Sequence, residues 1–262
     1  MASDTTETVE TGGFKRFLTD QLRNIAPVFT LIALVGFFSF ASPSFFTTVN
    51  MMNIMSQVSI TAIMAVGLTF VILTAEIDLS IAAVANAVGI TVAFFTMQPD
   101  YVNIANLPLP GVIAIVLTLL SALAIGLVTA FGVTWIGIPS FIMTLAMMQI
   151  ANGISALLVR GQIAYNYPSL ITTLGSGSIF GVRWTIIIAL LFLGVGWFVL
   201  TQTRYGRYVY MTGGNREAAE YSGVNVKMII GSVMVISAMC AGIAGMLAVA
   251  YFGSAQQNQF DT

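Results

Sequence analysis

Seven long stretches of this chain contain no charged side chain, and this constrains its fold more than any other feature of the sequence. Crossing the hydrocarbon core of a bilayer takes about 20 predominantly apolar residues in an α-helix. The stretches approach or exceed that length, so they predict seven membrane-spanning helices. They lie near residues 25–40, 55–74, 79–97, 111–133, 141–159, 184–201 and 228–252. An alternative interpretation joins the second and third stretches into one interrupted element.

The overall composition agrees with a chain that lies mostly in lipid. Of the 262 residues, 58% are hydrophobic and 7% are charged, whereas about 25% of the residues in a typical soluble domain are charged. A water-soluble globule is excluded because too few polar side chains remain to cover its surface. Nine basic and ten acidic residues give a net charge of −1, so there is no basic field to attract nucleic acid. The sequence predicts an all-α, polytopic membrane helix bundle surrounded by lipid.

Side chains that carry enzyme chemistry are scarce. Histidine is absent, which excludes Ser-His and Cys-His pairs, histidine general bases and the commoner zinc sites. The single cysteine, Cys240, lies in an apolar stretch and has no second cysteine for an intrachain disulfide. We expect it to pack as a small buried hydrophobic side chain. The sequence therefore offers no catalytic residue, metal site or cofactor, and we do not expect an enzyme.

The basic residues indicate which side of the membrane each loop faces, because loops rich in Lys and Arg tend to stay in the cytoplasm. With the N-terminus inside, two basic residues, Arg160 and Arg183, lie outside and seven are cytoplasmic. The seven are Lys15, Arg16, Arg23, Arg204, Arg207, Arg216 and Lys227. This orientation predicts a retained cytoplasmic tail at 1–24 and a cytoplasmic loop at 202–227. The loop 98–110 has no basic residue and is predicted to face outward.

Two carboxylates, Glu76 and Asp78, interrupt the apolar pattern between the second and third stretches. A charged side chain at the bilayer centre costs about 2.5–3.5 kcal/mol on insertion scales, so this segment must lie at an interface, in water or in a paired site. One interpretation is that Asp78 or Ser80 caps the N-terminus of the third helix. The others are a helix break that lines a translocation path and a carboxylate that couples transport to an ion.

A second polar segment, 202–227, has the pattern of a short helix with defined ends. The two glycines at 213–214 are expected to break the chain, Asn215 is a favourable N-cap, and 216–222 can form two helical turns. Gly223 follows where a helix end favours a left-handed residue. Such a helix is suited to docking in a groove of another protein. The alternative is an ordinary connector on the membrane surface.

Three blocks of the sequence resemble a known family of transporters. The pattern Glu-Ala-Ala-x-x-x-Gly at 217–223 is similar to the EAA signature of ABC importer permeases, whose short cytoplasmic helix engages the ATPase subunit. With its surroundings, and with the blocks at 67–80 and 138–145, it resembles the narrower ribose/xylose/arabinose-type permeases. The resemblance assigns the ATPase contact to Asn215, Arg216, Glu217, Ala218, Ala219 and Gly223. Glu76, Asp78 and Ser80 are the candidate translocation-path or helix-break residues.

This resemblance implies that residues 25–262 form the transmembrane permease subunit of an ABC importer, which moves a monosaccharide or similar small polar solute by alternating access. A separate cytoplasmic ATPase subunit would hydrolyse ATP, because neither Lys15 nor Lys227 follows a glycine as a Walker loop requires. The family also implies a second permease copy, identical or different, and an extracytoplasmic solute-binding protein. The expected location is the cytoplasmic (inner) membrane, crossed several times.

The sequence departs from the family pattern in several places. Ala75 and Glu76 stand where the family usually has two glycines, and the chain ends at Thr262 where relatives continue, so the permease domain is expected to be incomplete. A rival interpretation is an ion-coupled secondary transporter in which Glu76 and Asp78 bind protons or sodium ions. The capped helix that begins after Asn215 favours the ABC importer.

Overall fold

The structure is a computed structural model that describes residues 10–96, 109–160, 163–165, 167–257 and 259–260, with side chains from residue 25 onward except 164 and 165. The helices are α1 Glu10–Ala41, α2 Thr48–Leu73, α3 Ile81–Thr96, α4 Gly111–Phe131, α5 Ser140–Val159, α6 Ser169–Ser176, α7 Trp184–Gln202, α8 Arg204–Gly214, α9 Arg216–Tyr221 and α10 Val226–Phe252. The strands are β1 Ala164–Tyr165, β2 Ser178–Ile179, β3 Val182–Arg183 and β4 Ser254–Ala255. β1 pairs antiparallel with β4, and β2 with β3.

The predicted all-α membrane bundle is confirmed by the length and composition of these helices. Helices α2, α4, α5, α7 and α10 are long and apolar enough to cross a membrane, α4 together with the π-helical turn that continues it. The apolar part of α1, Ile25–Ala41, and α3 are shorter. Each of the seven predicted stretches coincides with an apolar helix, and the second and third stretches are separate helices. The number of spans that cross the bilayer and the cytoplasmic position of the N-terminus stay predictions.

The chain divides into two compact units, Met1–Asn53 and Ile54–Thr262. In the first unit, α1 begins at Glu10, so the predicted tail is helical from that residue onward. Residues 1–9 of this tail lie outside the described residues, and so does most of the predicted outer loop 98–110. The Asn50 side-chain amide donates a 2.8 Å hydrogen bond to the Phe45 carbonyl oxygen and closes the turn after α1.

The second unit is built around α10, which is mostly buried, whereas α4, α5 and α7 expose most of their surface. Small residues let helix backbones approach closely inside a membrane bundle. Gly245 of α10 contacts the backbone of Ala85 in α3, and Gly242 contacts the Ala122 methyl group in α4. Cys240 on the same helix is buried, which confirms its predicted role as a small core residue.

Three connections between helices meet at one end of this unit. The first is the non-helical segment 74–80 between α2 and α3, and the second is the π-helical turn Gly132–Ile136 with the loop that leads to α5. This loop ends the helical ladder because Gly137 is left-handed, with φ of +84°, and Pro139 has no backbone N–H to donate. The third connection contains α8 and α9. All three line one cavity, and they form the candidate site.

Candidate functional site

The segment between α2 and α3 is non-helical, and its side chains alternate between the interior and the surface. Thr74, Glu76, Asp78 and Ser80 are buried, whereas the three residues between them are exposed. This is the two-residue period of an extended chain, in which successive side chains point to opposite sides. Both carboxylates of the segment therefore lie inside the protein. We call residues 74–80 the α2–α3 break.

Asp78 joins this break to the central helix α10. Its Oδ1 atom accepts hydrogen bonds from the Ser80 backbone N–H at 2.9 Å and from the Ser80 hydroxyl at 2.7 Å, an Asx turn directly before α3. Its Oδ2 atom accepts a 2.6 Å bond from the hydroxyl of Ser237, a fully buried residue of α10. The Ser80 carbonyl accepts the Val84 amide at 2.8 Å, which places Ser80 at the start of α3. Asp78 and Ser80 thus stabilise the entry to this helix together.

Two hydroxyl side chains of α5 hold the backbone of the break. The Ser140 hydroxyl accepts the Ile77 amide at 3.3 Å, and the Thr144 hydroxyl accepts the Leu79 amide at 3.2 Å. Buried backbone groups need such partners when no helix supplies them. Sequence reasoning did not assign Ser140, Thr144 or Ser237 to the site. The spacing of four residues between Ser140 and Thr144, which puts both on one helix face, was the available signal.

The predicted short helix is present as α9, and its local signals are the predicted ones. The Asn215 side chain accepts the Ala218 amide at 3.0 Å, as an N-cap does. Gly223 is left-handed, with φ of +82°, and its amide donates to the Glu220 carbonyl at 2.9 Å. One prediction was wrong, because the glycines at 213–214 do not break the chain but complete α8. Gly213 is needed there for close contact, since a Cβ atom would overlap the Leu73 carbonyl oxygen of α2.

Helix α9 is anchored to the bundle through one buried residue, and its other residues are exposed. Ala219 is buried in a cluster with Val209 of α8 and Val226 of α10. The other residues of the helix are exposed, and Tyr221 exposes 91% of its surface. The exposed members of the predicted contact set are Asn215, Arg216, Glu217, Ala218 and Gly223. A helix fixed on one side and open on the other can transmit a push from a bound partner to the bundle.

An ion pair connects the two polar segments of the sequence. The Arg216 Nη2 atom lies 2.5 Å from the Glu76 Oε1 atom. Glu76 is buried, with 8% of its side chain exposed, whereas the Arg216 side chain is 49% exposed. Sequence reasoning named both residues but did not pair them. The available signal was their opposite charge on loops predicted to face the same side of the membrane.

The ion pair borders a polar cavity of about 540 Å³. Its charged lining residues are Glu76, Arg216, Glu220 and Lys227, and the opposite wall is formed by residues 133–140. Among the described residues, no group of three or more His, Cys, Asp and Glu side chains is placed to hold a metal ion. The cavity therefore leaves open space beside the ion pair.

These features define a polytopic membrane transport subunit, and comparison with known proteins identifies its family. Residues 50–262 match the family described as branched-chain amino acid transport system / permease component. The chain belongs to this family of ABC transporter permeases, as the sequence resemblance predicted. It is a multi-pass protein of the cytoplasmic membrane and a transport subunit rather than an enzyme. Permeases of this kind work with an ATPase and a substrate-binding protein.

Several curated relatives are similar over most of the chain. The ribose import permease protein of Haemophilus influenzae is 34% identical over 94% of this chain and 74% of its own length. The ribose import permease protein of Escherichia coli K12 is 34% identical over 96% of this chain and 76% of its own length. The D-allose transport system permease protein of Escherichia coli K12 is 32% identical over 87% of this chain and 68% of its own length. No solved structure matches the chain.

Proposed function

We infer that this permease imports a monosaccharide, and that α9 is the helix through which a separate ATPase subunit drives it. The observation that carries the coupling role is the construction of α9, which is capped at both ends, anchored by Ala219 and exposed on its outer side. The proposed contact residues are Asn215, Arg216, Glu217, Ala218, Ala219 and Gly223.

The solute class rests on the relatives rather than on the family description. The similar permeases are named for ribose, D-allose, galactofuranose and galactose, which are all monosaccharides. The family description names branched-chain amino acids, but the sugar permeases match this chain over most of its length. A monosaccharide is therefore the solute that we assign to the chain.

Transport by alternating access requires more than this one chain. We propose that a second permease copy, identical or different, faces this one across the path, and that an extracytoplasmic solute-binding protein delivers the sugar. The segment that contains Glu76, Asp78 and Ser80 is proposed to act as a helix break. Its polar groups are satisfied locally, since Asp78 and Ser80 bond each other and Glu76 is paired with Arg216. This engagement of both carboxylates also argues against the ion-coupled alternative, which needs a carboxylate free to exchange its ion.

The experiment is uptake of labelled D-ribose into right-side-out membrane vesicles that contain the permease and its ATPase subunit, with ATP inside and the solute-binding protein outside. We expect uptake to require ATP and to persist after the proton and sodium gradients have been abolished. Uptake that follows either gradient without ATP would favour the secondary transporter. Vesicles without the permease give the background.

A pair of variants tests the role of α9 in the same vesicles. The double variant Glu217→Arg, Gly223→Ala changes the exposed surface and the C-cap of α9, and we expect ATP hydrolysis that no longer drives uptake. The matched control is Phe180→Ala, because Phe180 is fully exposed at the tip of the β2–β3 hairpin, ahead of α7. Normal uptake by the double variant would contradict the assignment of α9.

A further inference from the structure

We propose that the Glu76–Arg216 ion pair is the link through which α9 moves the α2–α3 break, with both side chains as positioning residues. The inference rests on the proposed coupling role of α9 and goes beyond it, because it assigns the path by which movement enters the bundle.

The two ends of the link are built differently. Arg216 is the first residue of α9 and is half exposed, so it moves with the surface that a partner would push. Glu76 is buried, and its backbone amide donates to the Val71 carbonyl in the last turns of α2 at 3.2 Å. The guanidinium therefore belongs to the outer helix, and the carboxylate belongs to the bundle.

The energetics favour movement of the two groups together. The Glu76 carboxylate is buried, so loss of its guanidinium partner would leave a charge with little solvation, which is unfavourable. A displacement of α9 that carried Arg216 away would leave the Glu76 carboxylate in that state. A shift of the break along with the guanidinium costs less, because the break is non-helical and, beyond its backbone bonds to the end of α2, is held by side-chain bonds. The ion pair thus converts a shift of α9 into a shift of residues 74–80.

The break passes this shift on to two further helices. Its Ile77 and Leu79 amides bond the Ser140 and Thr144 hydroxyls of α5 at 3.3 Å and 3.2 Å. Its Asp78 carboxylate bonds Ser237 of α10 at 2.6 Å, so α10 is held firmly. Movement that enters at Glu76 therefore reaches both α5 and α10 through these bonds.

The cavity beside the pair supplies an alternative arrangement. Lys227 lines the same cavity as Glu76, and Glu220 lines it with Arg216. Each member of the ion pair therefore has a second group of opposite charge within the cavity it faces. Elements with two discrete arrangements are what carries coupling between distant sites. We assign one arrangement to the present structure, in which Glu76 and Arg216 are paired.

The test uses the full permease complex, purified with its ATPase subunit and reconstituted in proteoliposomes with the solute-binding protein and labelled D-ribose. The variants are Glu76→Gln, Arg216→Gln and the charge swap Glu76→Arg, Arg216→Glu. Arg207→Gln is the matched control, because Arg207 is an exposed arginine of the neighbouring helix α8. The quantity measured is ribose taken up per ATP hydrolysed, together with the amount of ATPase subunit that co-purifies.

We expect each single variant to lower uptake per ATP at least about fivefold, the lower end of typical coupling between sites, without loss of the ATPase subunit. The charge swap restores most of this ratio, which a purely structural role of either side chain would not do. Wild-type coupling in Glu76→Gln would overturn the link alone, and so would a stable charge swap that performs no better than the single variants. Failure of the wild-type permease to retain an ATPase subunit would overturn the proposed function as well.

Discussion

Gly213, near the end of α8, lies so close to the Leu73 carbonyl oxygen at the end of α2 that a Cβ atom would overlap it. The neighbour is a backbone carbonyl of a long helix, which cannot rotate away as a side chain can. We expect Gly213→Ala to lower the free energy of unfolding by about 3 kcal/mol, at the upper end of typical overpacking costs. Denaturant unfolding in detergent measures the loss.

The matched control for this prediction is the next residue along the chain. Gly214 also belongs to α8, but a Cβ atom there would meet nothing within 4 Å. Gly214→Ala is expected to leave stability unchanged or to raise it by about 0.5 kcal/mol, because alanine restricts the unfolded chain. Equal losses in the two variants would show that the contact with α2 is not what requires glycine at position 213.

Ala75 occupies a conformation that glycine would fit better. Its φ is +59°, in the left-handed region that costs an L-residue about 1–2 kcal/mol, and its side chain is exposed. Ala75→Gly is therefore expected to raise the free energy of unfolding by about 1 kcal/mol. As the control, Ala65→Gly at an exposed position inside α2 should lower it by about 0.5–1 kcal/mol. The same sign for both variants would contradict the strain at Ala75.

The helices that cross apolar surroundings were predictable from the sequence alone. Lipid offers no hydrogen bonds, so the backbone of a spanning segment must be helical, and an uncharged stretch therefore marks a helix closely. The stretch predicted at 228–252 is α10, Val226–Phe252, and the one at 141–159 is α5, Ser140–Val159. Outside the apolar stretches this constraint is absent. The close contact of Gly213 with the end of α2 depends on how the helices pack, which the local sequence does not encode.

The candidate site was predictable where its signals are local. Asn215 and Gly223 bond residues three positions away, so the cap pattern identified them. The Glu76–Arg216 pair and the Asp78–Ser237 bond join residues 140 and 159 positions apart. Such pairs depend on how the helices pack, and the periodicity of the sequence does not predict this packing. The sequence showed that the two carboxylates interrupt an apolar region and need partners, but it did not show which residues those partners are.

Substitutions at Asp78 can distinguish the contribution of its hydrogen bonds from that of its negative charge. An asparagine keeps the side-chain oxygen for the Asx turn, and its amide group can donate to the Ser237 hydroxyl. We expect Asp78→Asn to cost less than about 1 kcal/mol, and Asp78→Ala to cost about 1–3 kcal/mol because buried partners lose their bonds. Loss of ATP-driven uptake in a stable Asp78→Asn protein would show that transport needs the charge.

Tyr205 on α8 is expected to make the stability of the folded protein depend on pH in the alkaline range. Burial raises the pKa of this phenol, and the hydrogen bond to Ser232, at 2.7 Å, offsets part of the rise. The folded state therefore favours the neutral phenol. The stabilisation is complete below the unfolded pKa of about 10 and is lost as the pH rises through the higher folded pKa.

The measurement for Tyr205 is stability as a function of pH. Wild-type protein is expected to lose stability above about pH 10 more steeply than Tyr205→Phe, because only the wild type has this phenol to ionise. At pH 8 the variant should be less stable by about 1 kcal/mol, since the hydrogen bond between Tyr205 and Ser232 is lost. Tyr208→Phe, at an exposed position of α8, controls for removal of a hydroxyl. Parallel pH profiles for wild type and Tyr205→Phe would contradict the prediction.

Tyr221 is the side chain of α9 best placed to anchor a bound ATPase subunit. It ends the helix and exposes 91% of its surface, so it contributes little to packing of the permease itself. Exposed tyrosines at protein interfaces are often hot spots whose loss costs at least about 2 kcal/mol. Because about 1.4 kcal/mol corresponds to a tenfold change in affinity, Tyr221→Ala should weaken binding of the ATPase subunit at least about tenfold. Its thermal stability should equal that of wild type and of the distal control Phe180→Ala. Unchanged affinity in Tyr221→Ala would show that Tyr221 does not anchor the ATPase subunit.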